Sequence, residues 1–474
     1  MSSEPPTYPL LINNKSHTTS TTFPVSSPST GEILHHFSSA SIADIDLALQ
    51  SAQSSFPAWK RLPPPQKRDI FIRASDILTS RASELRETIM QETGAVASWS
   101  EVNINVTIDM LRNVAGQITS LQGSIPTTAH EGDSALILKE PYGVALAIAP
   151  WNAPYILGMR AMLFPLAAGN TVILKAPESS PRCSLHLVQA LHDAGLPAGV
   201  LNFVAHRVED AAEITRYLIE SPVIKKINFT GSTHVGRIIA EIAGRNLKPV
   251  LLELGGKAPA IVCEDADLEL AAKECAVGAF MHAGQICMST ERIIVFEKVL
   301  EEFQYEFKKA VAAFAPENGP KPVLINAAGV QKNKKLLDDA IGKGARVLTG
   351  DPKAGEGTSM MPVVVVGTKK DMDLYYTESF GPTVSVMVVQ SEEEALELAN
   401  DTEYGLSAAV FTQDLGKAFR IAKGIESGAV HINGMTVHDE SALPHGGVKS
   451  SGYGRFGANG LEEWVRTKTI TFKD

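Results

Sequence analysis

The alternation of short apolar runs with segments of helical length, which begins at Val144, constrains the fold of this chain more than any other feature. The first series of apolar runs is strand-sized and covers residues 144–149, 171–174, 200–204, 224–229 and 250–254. Segments of helical length separate these runs, at residues 185–194, 209–220 and 235–243. Continuous apolar strands that alternate with helices are typical of an open, mostly parallel sheet with helices on both faces.

A second series of the same kind follows, which indicates two α/β units in tandem. Its apolar runs lie at residues 260–262, 293–296, 347–348, 364–366, 384–389, 408–411 and 430–432. Helical patterns at residues 299–313 and 392–400 lie between them. A chain of 474 residues has room for two such units, since domains usually hold about 100–200 residues.

The two ends of the chain differ from these units. Residues 1–40 are rich in Ser, Thr and Pro and show no helical period, so we expect an irregular lead-in with a short hairpin at most. Residues 464–472 alternate with period two, which predicts a late β-strand. Such a strand ends the chain away from its own sheet, so it needs a partner, and another subunit could supply one.

Composition and charge exclude several classes of function. The net charge is −10, and the chain has no basic stripe of the kind that nucleic-acid binders carry. No run of about 18 apolar residues is present, so we expect no membrane-spanning helix. The first nine residues lack the regions of a secretory signal, and four cysteines are too few for a disulfide framework. We therefore expect a soluble protein of a reducing compartment, the cytoplasm.

Three polar residues stand where reactive side chains are useful. Cys287, in the sequence Gly-Gln-Ile-Cys-Met-Ser-Thr, is placed as an exposed nucleophile, although a single cysteine is more often a buried structural residue. Glu253 follows an apolar run, where burial is expected to raise its pKa towards that of a general base; a salt-bridged strand end is the alternative. Asn152 also follows a strand, and its amide either donates to an oxyanion or caps a turn.

Two further segments suit a nucleotide. Gly231-Ser-Thr-His-Val-Gly236 follows a strand and opens a helix, where a glycine lets the backbone approach a phosphate. Its spacing is not the G-x-G-x-x-G of the usual dinucleotide-binding turn, so a plain tight turn is the alternative. Lys175 and Glu178 follow another strand, where they would hold ribose hydroxyls or form a solvated pair.

The segment His438-Asp-Glu440 is similar to a fragment of a metal site. Consecutive loop residues do not converge on one ion, and no second histidine lies three or four residues away. The even spacing of Cys263, Cys275 and Cys287 is not a zinc pattern either. We therefore predict no metal.

Taken together, these motifs resemble one family. They occur in the order Pro150-Trp-Asn152, Lys175-x-x-Glu178, Gly231-x-x-x-x-Gly236, Glu253-Leu-Gly-Gly256, Gly284-Gln-x-Cys287, Glu378-Ser-Phe-Gly-Pro382 and Gly446-Gly-Val-Lys-Ser-Ser-Gly452. Over nearly the whole chain this series is similar to the NAD(P)-dependent aldehyde dehydrogenase superfamily. The resemblance implies two doubly wound open-sheet α/β domains and a small β oligomerisation extension. The Rossmann-like cofactor domain would span residues 1–121 and 141–254, the catalytic domain 255–456, and the extension 122–140 and 457–474.

The resemblance also implies roles for residues at matching positions. Cys287 would be the thiolate nucleophile, Asn152 would hold the oxyanion, and Glu253 would activate water to hydrolyse the thioester. Contacts with the cofactor are implied for Trp151, Lys175, Glu178, Gly231, Ser232, Gly236, Leu254, Gly255, Glu378 and Phe380. Because the carboxylate of Glu178 would repel a 2′-phosphate, NAD is expected, with NADP as the less favoured alternative. The family's pairing of tail strands implies a homodimer or a homotetramer.

The surroundings of the nucleophile are similar to the aromatic-aldehyde branch of that family, which includes salicylaldehyde, benzaldehyde and vanillin dehydrogenases. Ala153 stands where other members often have an aromatic residue. The residues expected to line the substrate pocket are Trp99, Tyr155, Arg160 and Ile286. For the two aromatic residues, packing in the core is the alternative.

Other functions remain in competition with this interpretation. An aliphatic aldehyde or a semialdehyde is the competing substrate. Members that acylate coenzyme A lack the general-base glutamate, so Glu253 disfavours that reaction. A non-catalytic member would be expected to lose its nucleophile, whereas Cys287, Glu253 and Asn152 are all present.

Overall fold

The computed structural model describes residues 4–315 and 321–473. Its amino-terminal part contains strands β1 (Thr7–Tyr8), β2 (Leu10–Ile12), β3 (Lys15–His17), β4 (Thr22–Ser26) and β5 (Ile33–Ser38), then helices α1 (Ile42–Arg61), α2 (Pro64–Ser80), α3 (Ala82–Thr93) and α4 (Ala97–Gln117). The next part contains β6 (Asp133–Pro141), β7 (Val144–Ile148), α5 (Pro154–Ala167), β8 (Thr171–Lys175), α6 (Pro181–Asp193), β9 (Leu201–Val204), α7 (Ala211–Glu220), β10 (Ile224–Thr230), α8 (Thr233–Arg245) and β11 (Val250–Glu253).

The carboxyl-terminal half continues the alternation. It contains β12 (Ala258–Val262), α9 (Leu268–Phe280), β13 (Thr290–Phe296), α10 (Leu300–Ala312), α11 (Ala327–Gly342), β14 (Arg346–Thr349), β15 (Val363–Val366), α12 (Asp373–Tyr376), β16 (Thr383–Val389), α13 (Glu392–Asn400), β17 (Ser407–Phe411), α14 (Leu415–Gly424), β18 (Ala429–Ile432), β19 (Gly452–Tyr453) and β20 (Val465–Lys473). Short 3₁₀ turns join several of these elements.

Within the described residues, eight strands form the first sheet, in the order β3-β2-β9-β8-β7-β10-β11-β19. The five central strands are parallel, and the pairs at the edges are antiparallel. From β7 the chain moves to β8 and β9 on one side and later to β10 and β11 on the other. A topological switch point therefore lies between β7 and β10, where open α/β sheets form a ligand-binding crevice.

Seven strands of the described part form the second sheet, in the order β14-β15-β16-β13-β12-β17-β18. Its neighbouring strands are parallel except for β14 and β15. Both predicted α/β units are therefore present, and the predicted fold class is confirmed. The domain limits stay predictions; one strand of the first sheet, β19, lies inside the range 255–456 that was assigned to the catalytic domain.

Helix α5 lies beneath the candidate active site described below. It is buried at every position from Pro154 to Ala167. It packs between α4 and α6 and against the central strands of the first sheet. Gly158 permits the approach of α6, since a Cβ atom there would lie 3.0 Å from a methyl carbon of Leu187. A helix enclosed on all sides cannot shift without repacking its neighbours, so α5 is a rigid support for the residues that precede it.

The first 40 residues are more ordered than the sequence predicted. Strands β2 and β3 form one antiparallel hairpin and β4 and β5 form another, while β2 also extends the first sheet beside β9. In β4 the buried Phe23 and Val25 alternate with exposed residues. The proline of this strand, Pro24, lies on the exposed face, so the Ser/Thr/Pro bias concealed a strand pattern and the expectation of an irregular lead-in was wrong.

The predicted tail strand finds its partner in the same chain. Strand β20 pairs with β6 along its whole length to form a separate antiparallel ribbon, with Val465 opposite Pro141. The preceding residue, Trp464, is fully buried, and its main-chain oxygen accepts a 2.9 Å hydrogen bond from the side chain of Asn170. In the described ranges, no helix combines the length and the apolar character that crossing a bilayer requires.

Candidate active site

A cavity of about 260 Å³ occupies the crevice at the switch point between β7 and β10. The loops that leave these strands form two of its walls, and residues after β11 and around Glu378 complete it. Predicted residues that line it are Trp151, Asn152, Gly231, Ser232, Leu254, Gly255, Cys287, Glu378 and Phe380. Lys332, which the sequence analysis did not single out, also lines it.

Cys287 lies at the junction of this crevice and a second, smaller cavity. The second cavity measures about 130 Å³, and Asn152 and Leu157 border both cavities together with Cys287. The apolar side chains around the second cavity belong to Trp99, Val102, Val106, Ala153, Ile156, Met281, Ile286, Met288, Met435 and Val437. The thiol can therefore meet molecules from two compartments, one apolar and narrow, the other larger and more polar.

The loop before Cys287 has a backbone with positive φ angles at consecutive residues, and Gly284 and Gln285 stabilise it. His282 and Ala283 have positive φ angles of 50° and 55°. At Gly284, φ is 72° and a Cβ atom would lie 2.2 Å from a main-chain oxygen, so only glycine fits there. The side chain of Gln285 donates to two main-chain oxygens and accepts from one main-chain N–H. These bonds fix the loop and hence the position of the thiol.

Glu253 ends β11 with its carboxylate beside the thiol. Its Oε1 lies 3.7 Å from Sγ of Cys287 and 2.9 Å from Nε2 of His445, and its Oε2 accepts from Arg160 at 3.3 Å. Burial alone raises the pKa of Glu253, but the charges and hydrogen bonds of His445 and Arg160 outweigh it and lower the pKa to about 2. The expectation that burial raises this pKa was therefore wrong, because the sequence did not reveal the two partners of the carboxylate, His445 and Arg160.

Arg160 joins two carboxylates. Besides Glu253, its guanidinium donates a short hydrogen bond to Asp439. Burial alone lowers the pKa of Arg160, but Asp439 and Glu253 outweigh this effect and raise it. Arg160 thus borders the small cavity as predicted, with its charge already matched by two acids. Asp439 was noticed in the sequence as part of a doubtful metal motif, whereas the structure places it in this ion-pair network.

The thiol of Cys287 is protonated at rest. Burial raises its pKa well above the usual value, the charges of Glu253 and Glu378 raise it further, and Arg160 opposes them. An attack as thiolate therefore requires that a neighbouring group accept the proton. In the described part of the chain, Oε1 of Glu253 is the atom that the thiol contacts as a hydrogen-bond acceptor.

Two hydrogen bonds hold Asn152, one through its side chain and one through its main chain. Its side-chain amide donates to the main-chain oxygen of Gln285 at 2.9 Å, and its own main-chain oxygen accepts from the indole of Trp99 at 3.0 Å. Trp99 in turn stacks on His282, with ring centroids 5.7 Å apart. An amide has two donors, so one N–H of Asn152 fixes its orientation and the other is left for a ligand beside Cys287.

The crevice carries features that fit a dinucleotide. Ser232 caps the N-terminus of α8, where phosphate charge is favoured. A Cβ atom at Gly231 would lie 2.5 Å from the ring of Phe229, so a larger residue would disturb this turn. At Gly236 a Cβ atom would lie 2.5 Å from Leu254, which shows that this glycine permits close packing of α8 against the end of β11.

Glu378 lies across the crevice from these residues. Its Oε1 accepts from the main-chain N–H of Gly256 at 2.9 Å, and a Cβ atom at Gly255 would lie 2.7 Å from its Oε2. Burial, with a further contribution from Glu291, raises the pKa of Glu378 to about 7. Phe380 next to it has a φ of 48° and makes an edge contact with the ring of Trp151.

A buried ion pair that the sequence analysis missed supports this segment. Lys257 and Glu291 form a short hydrogen bond, and Glu291 accepts from the main-chain N–H groups of Ser379 and Phe380. Lys257 also donates to the main-chain oxygen of Thr377 at 2.8 Å. The pair therefore fixes the backbone on both sides of Glu378, although neither side chain lines the crevice.

Lys175 and Glu178 lie at the carboxyl end of β8 and bind each other at 2.7 Å. Burial alone raises the pKa of Glu178, but Lys175 and, more weakly, His206 lower it below the usual value. Nδ1 of His206 lies 3.5 Å from the carboxylate, and burial lowers the pKa of this histidine to about 4. Glu178 is therefore an anion at the carboxyl end of β8, and neither it nor Lys175 lines the cavity of the crevice.

The structure brings three of the four predicted pocket residues together. Trp99, Arg160 and Ile286 border the small cavity, whereas Tyr155 does not. The ring of Tyr155 is buried, and its hydroxyl donates to the main-chain oxygen of Leu85 at 2.8 Å. Tyr155 therefore packs in the core, which was the alternative stated for it in the sequence analysis. Because every residue of α5 is buried, the sequence of this helix has no polar face from which the side that borders the cavity could be predicted.

The remaining candidates do not form a second site. His438 pairs with Glu440 at 2.9 Å, and within residues 4–315 and 321–473 no group of three ligating side chains could hold a metal ion. Cys183, Cys263 and Cys275 are buried in the cores. Burial raises the pKa of each of these thiols.

Known proteins are similar to this chain in sequence and in fold. A family profile described as "Aldehyde dehydrogenase family" matches residues 15–470. The chain is 44% identical to a vanillin dehydrogenase of Pseudomonas fluorescens over 98% of both chains. It is 38% identical to a salicylaldehyde dehydrogenase of Pseudomonas sp. (strain C18), again over 98% of each. The crystal structure of a salicylaldehyde dehydrogenase from Pseudomonas putida G7, complexed with salicylaldehyde, superposes with a TM-score of 0.96 at 37% identity and covers 99% of both chains.

The profile covers the second sheet, the first sheet except for β2, and the residues that line the crevice, and the relatives extend over nearly the whole chain. The protein is thus an oxidoreductase whose cofactor is NAD or NADP. By its sequence and its fold, the chain belongs to the aldehyde dehydrogenase family.

Proposed function

We propose that this chain oxidises aromatic aldehydes of the salicylaldehyde, benzaldehyde and vanillin type to carboxylic acids, with NAD as the hydride acceptor. The observation that carries the proposal is the position of Cys287, which borders both the apolar cavity and the crevice. An aldehyde in the first and a nicotinamide in the second would both reach the thiol.

In the first step, Sγ of Cys287 attacks the carbonyl carbon, and its proton leaves towards Oε1 of Glu253, 3.7 Å away. The negative charge that develops on the aldehyde oxygen is held by the free N–H of the Asn152 amide and by the main-chain N–H of Cys287. Donors that are fixed before the reaction stabilise such an oxyanion most effectively. The bond from Asn152 to Gln285 supplies this fixation.

Bound NAD supplies the acceptor for the hydride of the resulting hemithioacetal, which leaves a thioester on Cys287. Lys175 and Glu178 would hold the adenosine ribose, and Glu378 would accept from the hydroxyls of the nicotinamide ribose. Ser232, at the start of α8, would face the pyrophosphate. The anionic Glu178 would repel a 2′-phosphate, so NAD is favoured over NADP.

Glu253 gives up the proton of the thiol to solvent before the last step, in which it accepts a proton from water. The water oxygen attacks the thioester carbon, the carbon–sulfur bond breaks, and the acid is released. The proximity of the carboxylate to Sγ supports this role, since water on the acyl carbon would lie near both atoms. Enzymes that transfer the acyl group to coenzyme A need no such base, so the presence of Glu253 favours hydrolysis.

The small cavity supports an aromatic substrate. A volume of about 130 Å³ with walls from Trp99, Ile286 and other apolar side chains suits a planar ring. The charged side chains on its border are Arg160, Glu253 and Asp439, one cation against two carboxylates. The carboxylate of a semialdehyde would therefore meet a negative border, which disfavours the competing substrate class. The vanillin and salicylaldehyde dehydrogenases compared above act on ring aldehydes, as their names state.

A panel of aldehydes tests the proposal. NADH formation is followed by absorbance with benzaldehyde, salicylaldehyde, vanillin, hexanal and succinic semialdehyde, each with NAD and with NADP. We expect kcat/KM for the ring aldehydes with NAD to exceed the others by about ten-fold or more, equal to about 1.4 kcal/mol. Higher values for hexanal or the semialdehyde would leave the chemistry in place and overturn the aromatic substrate.

Two further proposals concern the protein outside the site. The ribbon of β6 and β20 exposes the apolar side chains of Leu138, Ile470 and Phe472, and exposed apolar surface favours association. We propose a homodimer or a homotetramer that covers this ribbon. Sedimentation of the purified protein tests its oligomeric state.

We also propose a cytoplasmic location, supported by four free thiols in the described part of the chain.

A further inference from the structure

A carboxylate that the proposed chemistry does not use borders the apolar cavity beside Cys287. It belongs to Asp439, whose side chain is 14% exposed. One of its oxygens, Oδ2, accepts the short hydrogen bond from Arg160. The described residues supply no hydrogen-bond donor to the other oxygen, Oδ1. Because both oxygens of a carboxylate accept hydrogen bonds, Oδ1 is available to a molecule in the cavity.

The other polar side chains on this border are already engaged. The indole N–H of Trp99 donates to the main-chain oxygen of Asn152. The proposed reaction uses the amide of Asn152 for the oxyanion and the carboxylate of Glu253 for proton transfer. The guanidinium of Arg160 donates to Glu253 and to Asp439. Within the described part of the chain, Asp439 is thus the polar side chain of the border that is left for a group on the ring of a substrate.

The position of Asp439 is fixed by its partner and by its own segment. Arg160 lies on helix α5, which is buried at every position. Thr436, three positions before Asp439, donates to the main-chain oxygen of Met288 at 2.6 Å. Ser441, two positions after it, donates to a carboxylate of helix α4 at 2.9 Å. An acceptor that is held in place before a ligand arrives loses little entropy on binding.

Asp439 lies farther from the thiol than Glu253 does. Oε1 of Glu253 is 3.7 Å from Sγ of Cys287, and the guanidinium of Arg160 separates Glu253 from Asp439. In agreement with this order, the charge of Asp439 raises the pKa of Cys287 less than the charge of Glu253 does. When the carbonyl carbon of a ring aldehyde lies at the thiol, a substituent at ring position 2 stays beside that carbon. Substituents at positions 3 and 4 point away from it, which is where Asp439 lies.

We propose that Asp439 selects aldehydes with a hydroxyl group at ring position 3 or 4, by accepting a hydrogen bond from that hydroxyl. This proposal rests on the proposed function, in which the ring occupies the apolar cavity, and it defines the substrate class more narrowly. A fluorine at the same position cannot donate and leaves the carboxylate unpaired, which is costly in an apolar surrounding. Sites that bind a substrate hydroxyl in this way discriminate strongly against analogues without it.

The substrate preferences of the wild type and of Asp439→Asn test the proposal. The substrates are 3- and 4-hydroxybenzaldehyde and the corresponding fluorobenzaldehydes, with NAD at pH 6.5, where the hydroxyls are mainly protonated. Asparagine keeps an oxygen for Arg160 and turns an N–H donor towards the ring. We expect the ratio of kcat/KM for the hydroxyl compound to that for the fluoro compound to fall about ten-fold or more at position 3 or 4. The intrinsic reactivity of each aldehyde cancels between the two enzymes.

The binding of ketones measures the same preference without oxidation. Hydroxyacetophenones and fluoroacetophenones, substituted at position 3 or 4, carry no aldehyde hydrogen, so their Kd from calorimetry reports recognition alone. We expect the wild type to bind one of the hydroxyl ketones about ten-fold or more tightly than its fluoro counterpart, and Asp439→Asn to lose this preference. If no ring aldehyde is oxidised but the ketones show this preference, the proposed oxidation is rejected and the recognition by Asp439 stands.

Glu440→Gln is the matched control. Glu440 is the next acid on the same segment, but it is 56% exposed, pairs with His438 at 2.9 Å and does not border the cavity. Its variant should keep the wild-type ratios. Unchanged ratios in Asp439→Asn, an equal fall in Glu440→Gln, or a fall for 2-hydroxybenzaldehyde alone would overturn the proposal. Thermal melts establish that the variants are folded, and if Asp439→Asn is not, Asp439→Ala decides.

Discussion

The indole nitrogen of Trp99 donates a hydrogen bond of 3.0 Å to the main-chain oxygen of Asn152, and both residues are buried. Trp99 is a wall of the apolar cavity, and Asn152 carries the amide proposed to hold the oxyanion. The wall that would recognise a ring and the group that would stabilise its transition state are thus directly bonded. A change in one is transmitted to the other.

Trp99→Phe should separate these two functions. Phenylalanine keeps an aromatic wall but removes the N–H, so the backbone of Asn152 loses its restraint. We expect kcat for benzaldehyde to fall about ten-fold, or about 1.4 kcal/mol, while ring aldehydes remain preferred over hexanal. Trp59→Phe is the control: it removes an equally buried indole bond, to Leu166 at 3.2 Å, away from the site. That variant should lose thermal stability only, and an equal loss of kcat in both would contradict the coupling.

Cys287→Ala should abolish oxidation and spare cofactor binding. The thiol would make the covalent bond to the aldehyde, whereas the crevice has many other walls. We expect NADH formation to fall on the order of a thousand-fold or more, and the Kd for NADH, measured by fluorescence, to change by less than about two-fold. Cys275→Ala in the core should keep its kcat. Near-wild-type turnover in Cys287→Ala would remove this residue as the nucleophile.

Much of the site was predictable. Asn152 and Glu253 lie at strand ends that a parallel sheet brings to one edge, whereas Cys287 precedes β13 and was identified from the Gly-Gln that stands before it. Cys287, Asn152 and Glu253 were identified in the sequence, and the structure places them around one junction. The low pKa of Glu253 was not predictable, since Arg160 and His445 lie 93 and 192 positions away in the chain. Nothing local in the sequence pairs such distant residues.

Two other features escaped the sequence for local reasons. A helix that is buried on every side has no apolar stripe, so the sequence around Tyr155 did not show that its ring turns away from the cavity. Strands β4 and β5 are five and six residues long, but Pro24 and the Ser/Thr/Pro bias of the segment concealed their pattern. In contrast, the buried strands that consist of continuous apolar runs were predicted to within a few residues of their observed ends.

Glu253→Gln should stall the reaction after hydride transfer. An amide cannot accept the proton of water, and it also removes the carboxylate that takes the proton of the thiol, so the first turnover slows as well. Stopped-flow absorbance with NAD and benzaldehyde should show a first turnover of NADH that is slower than in the wild type but full in amplitude, followed by a steady rate about 100-fold or more below the wild type. Glu440→Gln, which changes an exposed acid that pairs with His438, serves as the control. Unchanged steady turnover in Glu253→Gln would exclude Glu253 as the base.

Glu378→Gln should stabilise the protein at alkaline pH. Since the pKa of Glu378 is raised to about 7 in the folded state, the unfolded chain releases this proton at lower pH than the folded one. Ionisation of Glu378 therefore costs stability as the pH rises through 7, up to about 3 kcal/mol. Glutamine avoids this cost, so the variant should melt higher than the wild type at pH 8, with the gap closing towards pH 4.5. A gap that does not depend on pH would contradict the raised pKa.

Glu178→Gln should relax the choice of cofactor. Removal of the carboxylate removes the repulsion of a 2′-phosphate, so the ratio of the Kd for NADPH to that for NADH should fall about ten-fold or more, equal to about 1.4 kcal/mol. Fluorescence titration of both reduced cofactors measures it. Asp210→Asn is the control, because this carboxylate is already paired with Arg207 at 2.9 Å. A ratio that stays constant would show that Glu178 does not determine cofactor choice.

Helix α5, enclosed from end to end, has a consequence for how such a protein can diversify. This helix begins just after Asn152 and carries Arg160 about two turns from its start. Its axis cannot tilt to admit a bulkier aldehyde without disturbing the chemistry at its start. New specificities in descendants of this chain should therefore arise by exchange of single side chains that border the apolar cavity, such as Ala153, Ile156 or Ile286, over an unmoved backbone. Laboratory evolution towards larger rings should collect its substitutions there.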